Sequence, residues 1–173
     1  VAFRVGFNIR TDGISPALAK LTKHMKDRRP ILEAMGLELV SITQRAFSDE
    51  GLRPKAWPPR KGTRVEMRRN KIGREIKVVV NTKGVMEHPL LIKSGTMRRS
   101  IEIKRLTGDL VMVGTDRAYA AVQQFGSRKK SGRGSGIPAR PFFPFIGIGR
   151  MTDFAKRRIV EVAWRKARLM LKP

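Results

Sequence analysis

Two apolar seams of helical period lie toward the ends of the chain, and the apolar runs between them are short and alternate with polar residues. That arrangement restricts the fold more than any other feature. In the first seam Leu18, Leu21 and Met25 are followed by Leu32, Met35, Leu39, Ile42 and Ala46, the three-four spacing of one long amphipathic helix, or two, that should run to about Phe47. Pro30 lacks an N–H and clashes with the carbonyl four residues back, so a kink or break is expected at residues 27–29. The seam serves either as core against a sheet or as a contact between subunits. In the second seam, over residues 152–171, Val160, Ala163, Trp164, Ala167, Met170 and Leu171 share a face. Thr152 is placed to cap this helix, and Arg165, Lys166, Arg168 and Lys172 complement the negative end of its dipole.

Outside the seams the period falls to two. The opening Val1, Phe3, Val5, Phe7 and Ile9 alternate as a strand does, Ile76 to Val80 is β-branched, and residues 100–114 read as a β-hairpin turning at Thr107, Gly108 and Asp109. The predicted fold is therefore α+β: a mainly antiparallel sheet packed by a long N-terminal helix and a C-terminal helix, with long basic loops. At 173 residues one domain spanning 1–173 is expected.

Charge is the strongest compositional signal, with 38 Lys and Arg against 14 Asp and Glu and a formal net charge of +24. Such a field draws polyanions and acidic proteins. Residues 53–74 hold nine of these cations and one acid, Glu66, and with Pro54, Pro58 and Pro59 they read as a basic loop pinned to the body by Trp57. A second basic loop is expected over residues 127–140. The candidate contacts with DNA or an acidic partner are Arg60, Lys61, Arg64, Arg68, Arg69, Arg128, Lys129, Lys130 and Arg133. The charge is spread over the whole chain, which argues against a dedicated DNA-reading face.

Catalysis has little to draw on. No cysteine is present, which excludes disulfides and thiolate metal sites. His24 and His88 lack ligand or triad spacing, and the carboxylates are scattered, so no metal, cofactor or catalytic residue is expected. A nuclease-like enzyme would need a carboxylate cluster that is not on display. The glycines of GRGSG do not follow a strand or open a helix, as a phosphate cradle requires. No apolar run approaches the roughly 18 residues that span a bilayer, and the chain start lacks a signal-peptide layout, so a cytosol-like compartment is expected.

Residues 91–145 carry the most ordered succession of motifs. LLIKSGTMRRSI is followed by VGTDRAYAAVQQFG and then IPARPFF. Arg140 is expected as a polar clamp, with Tyr119, Phe125 and Phe142 as packing anchors; Thr115 and Asp116 are expected to cap a short helix. The succession resembles the tail-completion or virion-morphogenesis proteins of tailed bacteriophages, and in pattern the head-tail neck proteins, over about residues 30–171. Ser94, Gly95, Arg98, Ser100 and Ile101 match the first motif. Gly114, Tyr119, Ala120, Gln124, Phe125 and Gly126 match the second, and Pro138, Ala139, Arg140, Pro141 and Phe142 the third. Met97 stands where such families commonly carry Leu, and Gln123 where many carry His.

The resemblance implies a structural subunit of the virion, without turnover. It would form a homo-oligomeric ring, hexameric by this likeness, at the neck or tail end, assembled in the bacterial host cytoplasm. The implied partners are further copies of itself, the adjoining connector or head-closure and tail-terminator or tail-tube proteins, and packaged DNA in the lumen, with no membrane. Residues 53–74 and 127–140 would dock on neighbouring subunits. The rival expectation is a basic nucleic-acid-binding protein that contacts DNA through its Lys- and Arg-rich loops.

Overall fold

The computed structural model describes residues 5–9, 16, 27–59, 62–83, 90–92, 94–127, 136–146 and 150–170. In chain order these form β1 (Val5–Ile9), α1 (Arg29–Arg45), a 3-10 turn (Glu50–Leu52), β2 (Thr63–Arg69), β3 (Glu75–Asn81), α2 (Thr96–Arg99), β4 (Glu102–Leu106), β5 (Val111–Thr115), α3 (Ala120–Phe125) and α4 (Asp153–Met170). The architecture is α+β, as the periodicities predict. β1, β5 and β4 make a three-stranded antiparallel sheet in that order, and among the described residues β2 pairs with β3 in a separate two-stranded sheet.

Helix α1 begins where Pro30 requires it, with the proline in its first turn, a position at which a missing N–H costs nothing. The half of the seam at Leu18, Leu21 and Met25 lies outside the described residues. Leu32, Met35, Leu39, Ile42 and Ala46 are all fully buried. Gly36 lies on the same helix where it meets the sheet: a Cβ there would stand 2.7 Å from Val111 Cγ2 and 3.0 Å from Ile103 Cδ1. The core thus takes in α1, β5, the residues around α2, and α4.

The face of α4 differs from the predicted one. Its buried stripe is Ala155, Ile159, Ala163 and Ala167, whereas Met170 is 37% exposed and Trp164 half-buried. Small side chains let α4 approach α1 closely, and burial follows that close approach rather than the bulk of the side chains. Thr152 does cap the helix, its Oγ1 accepting from Ala155 N at 3.4 Å.

The hairpin expected at residues 100–114 is β4–β5, closed by Thr107 N donating to Leu110 O at 2.9 Å. A register shift between Ile103 and Arg105 leaves Lys104 as a bulged residue that bonds both Glu102 and Asp116. These two carboxylates, Asp116 first, raise the Lys104 ammonium above its ordinary pKa. Asp116 is therefore not a helix cap. Thr115 Oγ1 closes a turn by accepting from Arg117 N, and α3 starts only at Ala120, without a side-chain cap.

Residues 53–74 also require correction. Only their first part is loop; Thr63–Arg69 is a strand, and its partner extends the predicted 76–80 run to Glu75–Asn81. Val65 and Met67 alternate with Arg64, Glu66 and Arg68, and an Asn- and Gly-containing turn follows. The hairpin signal was present beneath the charge.

Candidate assembly surface

The third motif is held in place by the second. α3 presents the Gln124 side chain inward, 4% exposed, and its Oε1 accepts from the backbone N–H groups of both Phe142 and Phe143 at 3.0 Å. Gln123 contributes its backbone carbonyl, which accepts from Arg140 N at 2.6 Å. Gly126 ends α3 at φ +78°, and a Cβ there would press on Ala139 N and Ile137 O, each at 3.0 Å. One residue on, Ser127 exchanges two bonds with Ile137, through its backbone N–H and its hydroxyl. The two prolines leave residues 137–142 extended and poor in donors, so the donors that remain must be met by a neighbour, and α3 meets them.

Latched in this way, the segment delivers its aromatics to the core. Phe142 and Phe143 are fully buried, and Phe7 stacks on Phe145 with centroids 4.0 Å apart. Phe47 joins Phe142 at 5.3 Å and meets Trp57 edge-on at 5.8 Å. Trp57 donates from Nε1 to Pro141 O at 2.8 Å, and it pins the loop as expected. Arg140, 8% exposed, is the polar clamp: its Nε and Nη2 donate to the carbonyls of Pro58 and Pro59 at 3.0 and 3.3 Å. Arg53, one of the loop cations, is likewise a structural residue. It donates to Ala46 O and Phe47 O at the end of α1 and lies 3.9 Å over the Trp57 ring. Burial lowers its pKa, with Glu50 opposing the shift.

The first motif is tied to the sheet end. Gly95 takes φ +66° ahead of α2, Ser94 O accepts from Arg99 Nη2 at 2.8 Å, and Ser100 Oγ lies 2.6 Å from Thr115 Oγ1. Arg98 is half-buried, while Met97 and Ile101 enter the core. The first motif is thus tied to the β5 end through Ser100 and Thr115, and the second holds the third through Gln124. Tyr119 and Phe125 are exceptions to the packing expected of them, at 47% and 63% exposed. The fixed orientation of Gln124 turns its neighbour Phe125 to solvent. Ile137, 36% exposed, is bonded through its backbone to the adjoining Ser127, so a partly apolar surface borders the latch.

The hairpin β2–β3 is the second exposed feature. Its base is anchored by Val80, fully buried, but Ile76 is 40%, Met67 56%, Val65 58% and Ile72 77% exposed. Arg64 and Arg68 both bond Glu66, and these bonds, Arg64's foremost, hold its carboxyl below the usual range. Of the predicted anion contacts, these two are therefore engaged and Arg69 is exposed on the strand. Arg60, Lys61, Arg128, Lys129, Lys130 and Arg133 lie outside the described residues, as do His24 and His88. Among the described residues no group of three or more His, Cys, Asp or Glu converges to hold a metal. No helix among them is long and apolar enough to cross a membrane.

Comparison with known proteins adds two findings. The sequence model of the phage virion morphogenesis family matches residues 9–163. An uncharacterized protein of Methanocaldococcus jannaschii is 36% identical over 99 residues, covering 57% of this chain and 60% of that protein. The chain thus spans less than two-thirds of that relative's length. No solved structure matches.

Proposed function

Given that the chain belongs to the phage virion morphogenesis family, we propose that it is a structural subunit of a homo-oligomeric ring at the head-tail junction and joins head to tail by docking alone. The observation that carries this reading is the division of labour among its motif residues. Gln124, Gly126, Arg140 and Phe142 are consumed in fixing the backbone. What the rigid body then offers is surface: Tyr119, Phe125 and Ile137 beside the latch, and the hairpin beyond it. Aromatic and branched apolar groups on a preorganised frame are what interface anchors require. The docking partners are copies of the chain and the adjoining connector and tail proteins.

Electron microscopy of lysates from a phage lacking this chain tests the reading. Filled heads and finished tails should accumulate unjoined, and joining should return when the chain is supplied. Joined, infectious particles in its absence would remove the proposal.

A second reading, contact with DNA in the lumen, is favoured by the exposed cations Arg69, Lys71 and Arg74 near the hairpin tip and Lys156, Arg157 and Arg168 on α4. It requires DNA affinity to fall with salt at a log-log slope of roughly 0.9 per phosphate neutralised. A flat titration would exclude it.

A further inference from the structure

The tip of the β2–β3 hairpin is a fixed cationic turn around one apolar residue. Asn70 Oδ1 accepts from Ile72 N and Arg74 N, both at 3.0 Å, while Asn70 N donates to Arg74 O at 2.9 Å and Gly73 N to Asn70 O at 3.0 Å. Gly73 supplies the φ of +75° that the turn needs. Ile72 is thereby held out at 77% exposure.

The ribbon behind this tip is cationic on both faces. Residues opposite each other in an antiparallel ladder share a face, so Arg69, across from Glu75, and Lys77, across from Met67, project from one side. Arg74, one position before Glu75, projects from the other, and Lys71 is in the turn. All four are exposed, and none of them is in an ion pair among the described residues. Residues 63–81 hold six cations and two acids, and one of those acids, Glu66, is already bonded by Arg64 and Arg68. A partner seated flat on the ribbon would meet the cations of one face only. Cations on both faces, with an apolar residue at the leading end, fit a slot whose two walls are anionic and whose floor is less polar.

The major groove of B-form DNA is such a slot. Its width of about 12 Å admits a two-stranded ribbon, phosphates line both rims, and base edges with thymine methyls make the floor. At about 8.5 Å deep it takes in the turn and roughly two residue pairs behind it, at about 3.4 Å each, which sets Arg69 and Arg74 level with opposite rims. We propose that the hairpin enters the major groove of duplex DNA tip first, with Arg69, Lys71, Arg74 and Lys77 on phosphates and Ile72 against the floor. The proposal rests on the reading of DNA contact above and deepens it, assigning the contact to the hairpin rather than to α4. The formal +24 of the chain, which opposes a second copy at this tip, favours a polyanion. Phosphate bonds and one apolar contact carry little sequence information, so binding should be nearly indifferent to sequence.

Fluorescence anisotropy with a labelled DNA duplex of mixed sequence, titrated at several salt concentrations, tests this. Combining Arg69→Ala, Lys71→Ala, Arg74→Ala and Lys77→Ala should lower the log-log salt slope by about 3–4, at roughly 0.9 per phosphate, with circular dichroism unchanged. Combining Lys156→Ala, Arg157→Ala and Arg168→Ala on α4 should lower it by less. Ile72→Ala should weaken DNA binding about fivefold or more and leave the slope as it is. Duplex RNA carries the same phosphates around a deep, narrow major groove, so it should bind more weakly and ignore Ile72→Ala. If the α4 variant loses the DNA affinity and the hairpin variant keeps it, the hairpin proposal is overturned and DNA contact survives. Equal binding of DNA and RNA, both indifferent to Ile72→Ala, overturns groove entry, as does equal affinity for polyglutamate, which would point to an acidic protein. A wild type that binds no DNA at low salt overturns both readings.

Discussion

At the latch, the amide oxygen of Gln124 accepts two backbone N–H groups where water does not reach; on the hairpin, the carboxylate of Glu66 accepts from two guanidinium groups at the surface. Both are single side chains bridging two donors, and the geometry is comparably good. Their energetic weight differs because of what each donor would do if the acceptor left. The N–H groups of Phe142 and Phe143 would stay buried and unmet, whereas Arg64 and Arg68 would turn to solvent. Rigidity at the latch is therefore self-supplied, while the hairpin relies on its turn and on whatever covers it.

The largest expected effect sits where the latch meets the core. Phe142→Ala removes a fully buried ring and should cost about 3–5 kcal/mol in denaturant unfolding. A loss under about 1 kcal/mol would show that the latch does not serve to place this aromatic. Gln124→Leu keeps the volume but orphans two N–H groups, and roughly 2–4 kcal/mol should be lost by the same measurement. Indifference to this change would erase the contrast with Glu66. Gly126→Ala should cost about 1–3 kcal/mol, since φ +78° and the 3.0 Å approach of residues 137 and 139 leave a Cβ no room.

The smallest effect belongs to the hairpin and should be local. Because the folded pKa of Glu66 is lowered, its contribution is present above the ordinary carboxyl pKa of about 4.3 and is lost as pH falls through the lowered value. Amides of β2 and β3 should lose hydrogen-exchange protection in that acid range before those of α1 and β5. In Glu66→Gln this acid step should disappear. Simultaneous loss across the whole molecule would mean the two regions are not energetically distinct.

Much of the frame was legible from residue spacing. The apolar positions of α1, the turn at Thr107 and the start at Pro30 each follow from a local rule, helical period or backbone restriction, that operates within a few residues. Charge obscured the hairpin: the basic residues of residues 53–74 suggested a loop, although Val65 and Met67 keep a strand's alternation. On α4 the bulkier residues were the wrong guide, because Ala155, Ala163 and Ala167 are buried by the proximity of α1, which no pattern within α4 encodes.

The sequence by itself determined the α+β class, the course of α1, the β4–β5 hairpin and the family, because period, turn chemistry and motif order are written locally. Tertiary structure decided what the motif residues do. Gln124 and Phe125 are adjacent, yet one is buried at 4% and the other exposed at 63%. A helix of six residues has too little periodicity to choose its own inner face. The choice is made by two unpaired N–H groups about eighteen residues onward, at Phe142 and Phe143, and only folding brings them within reach.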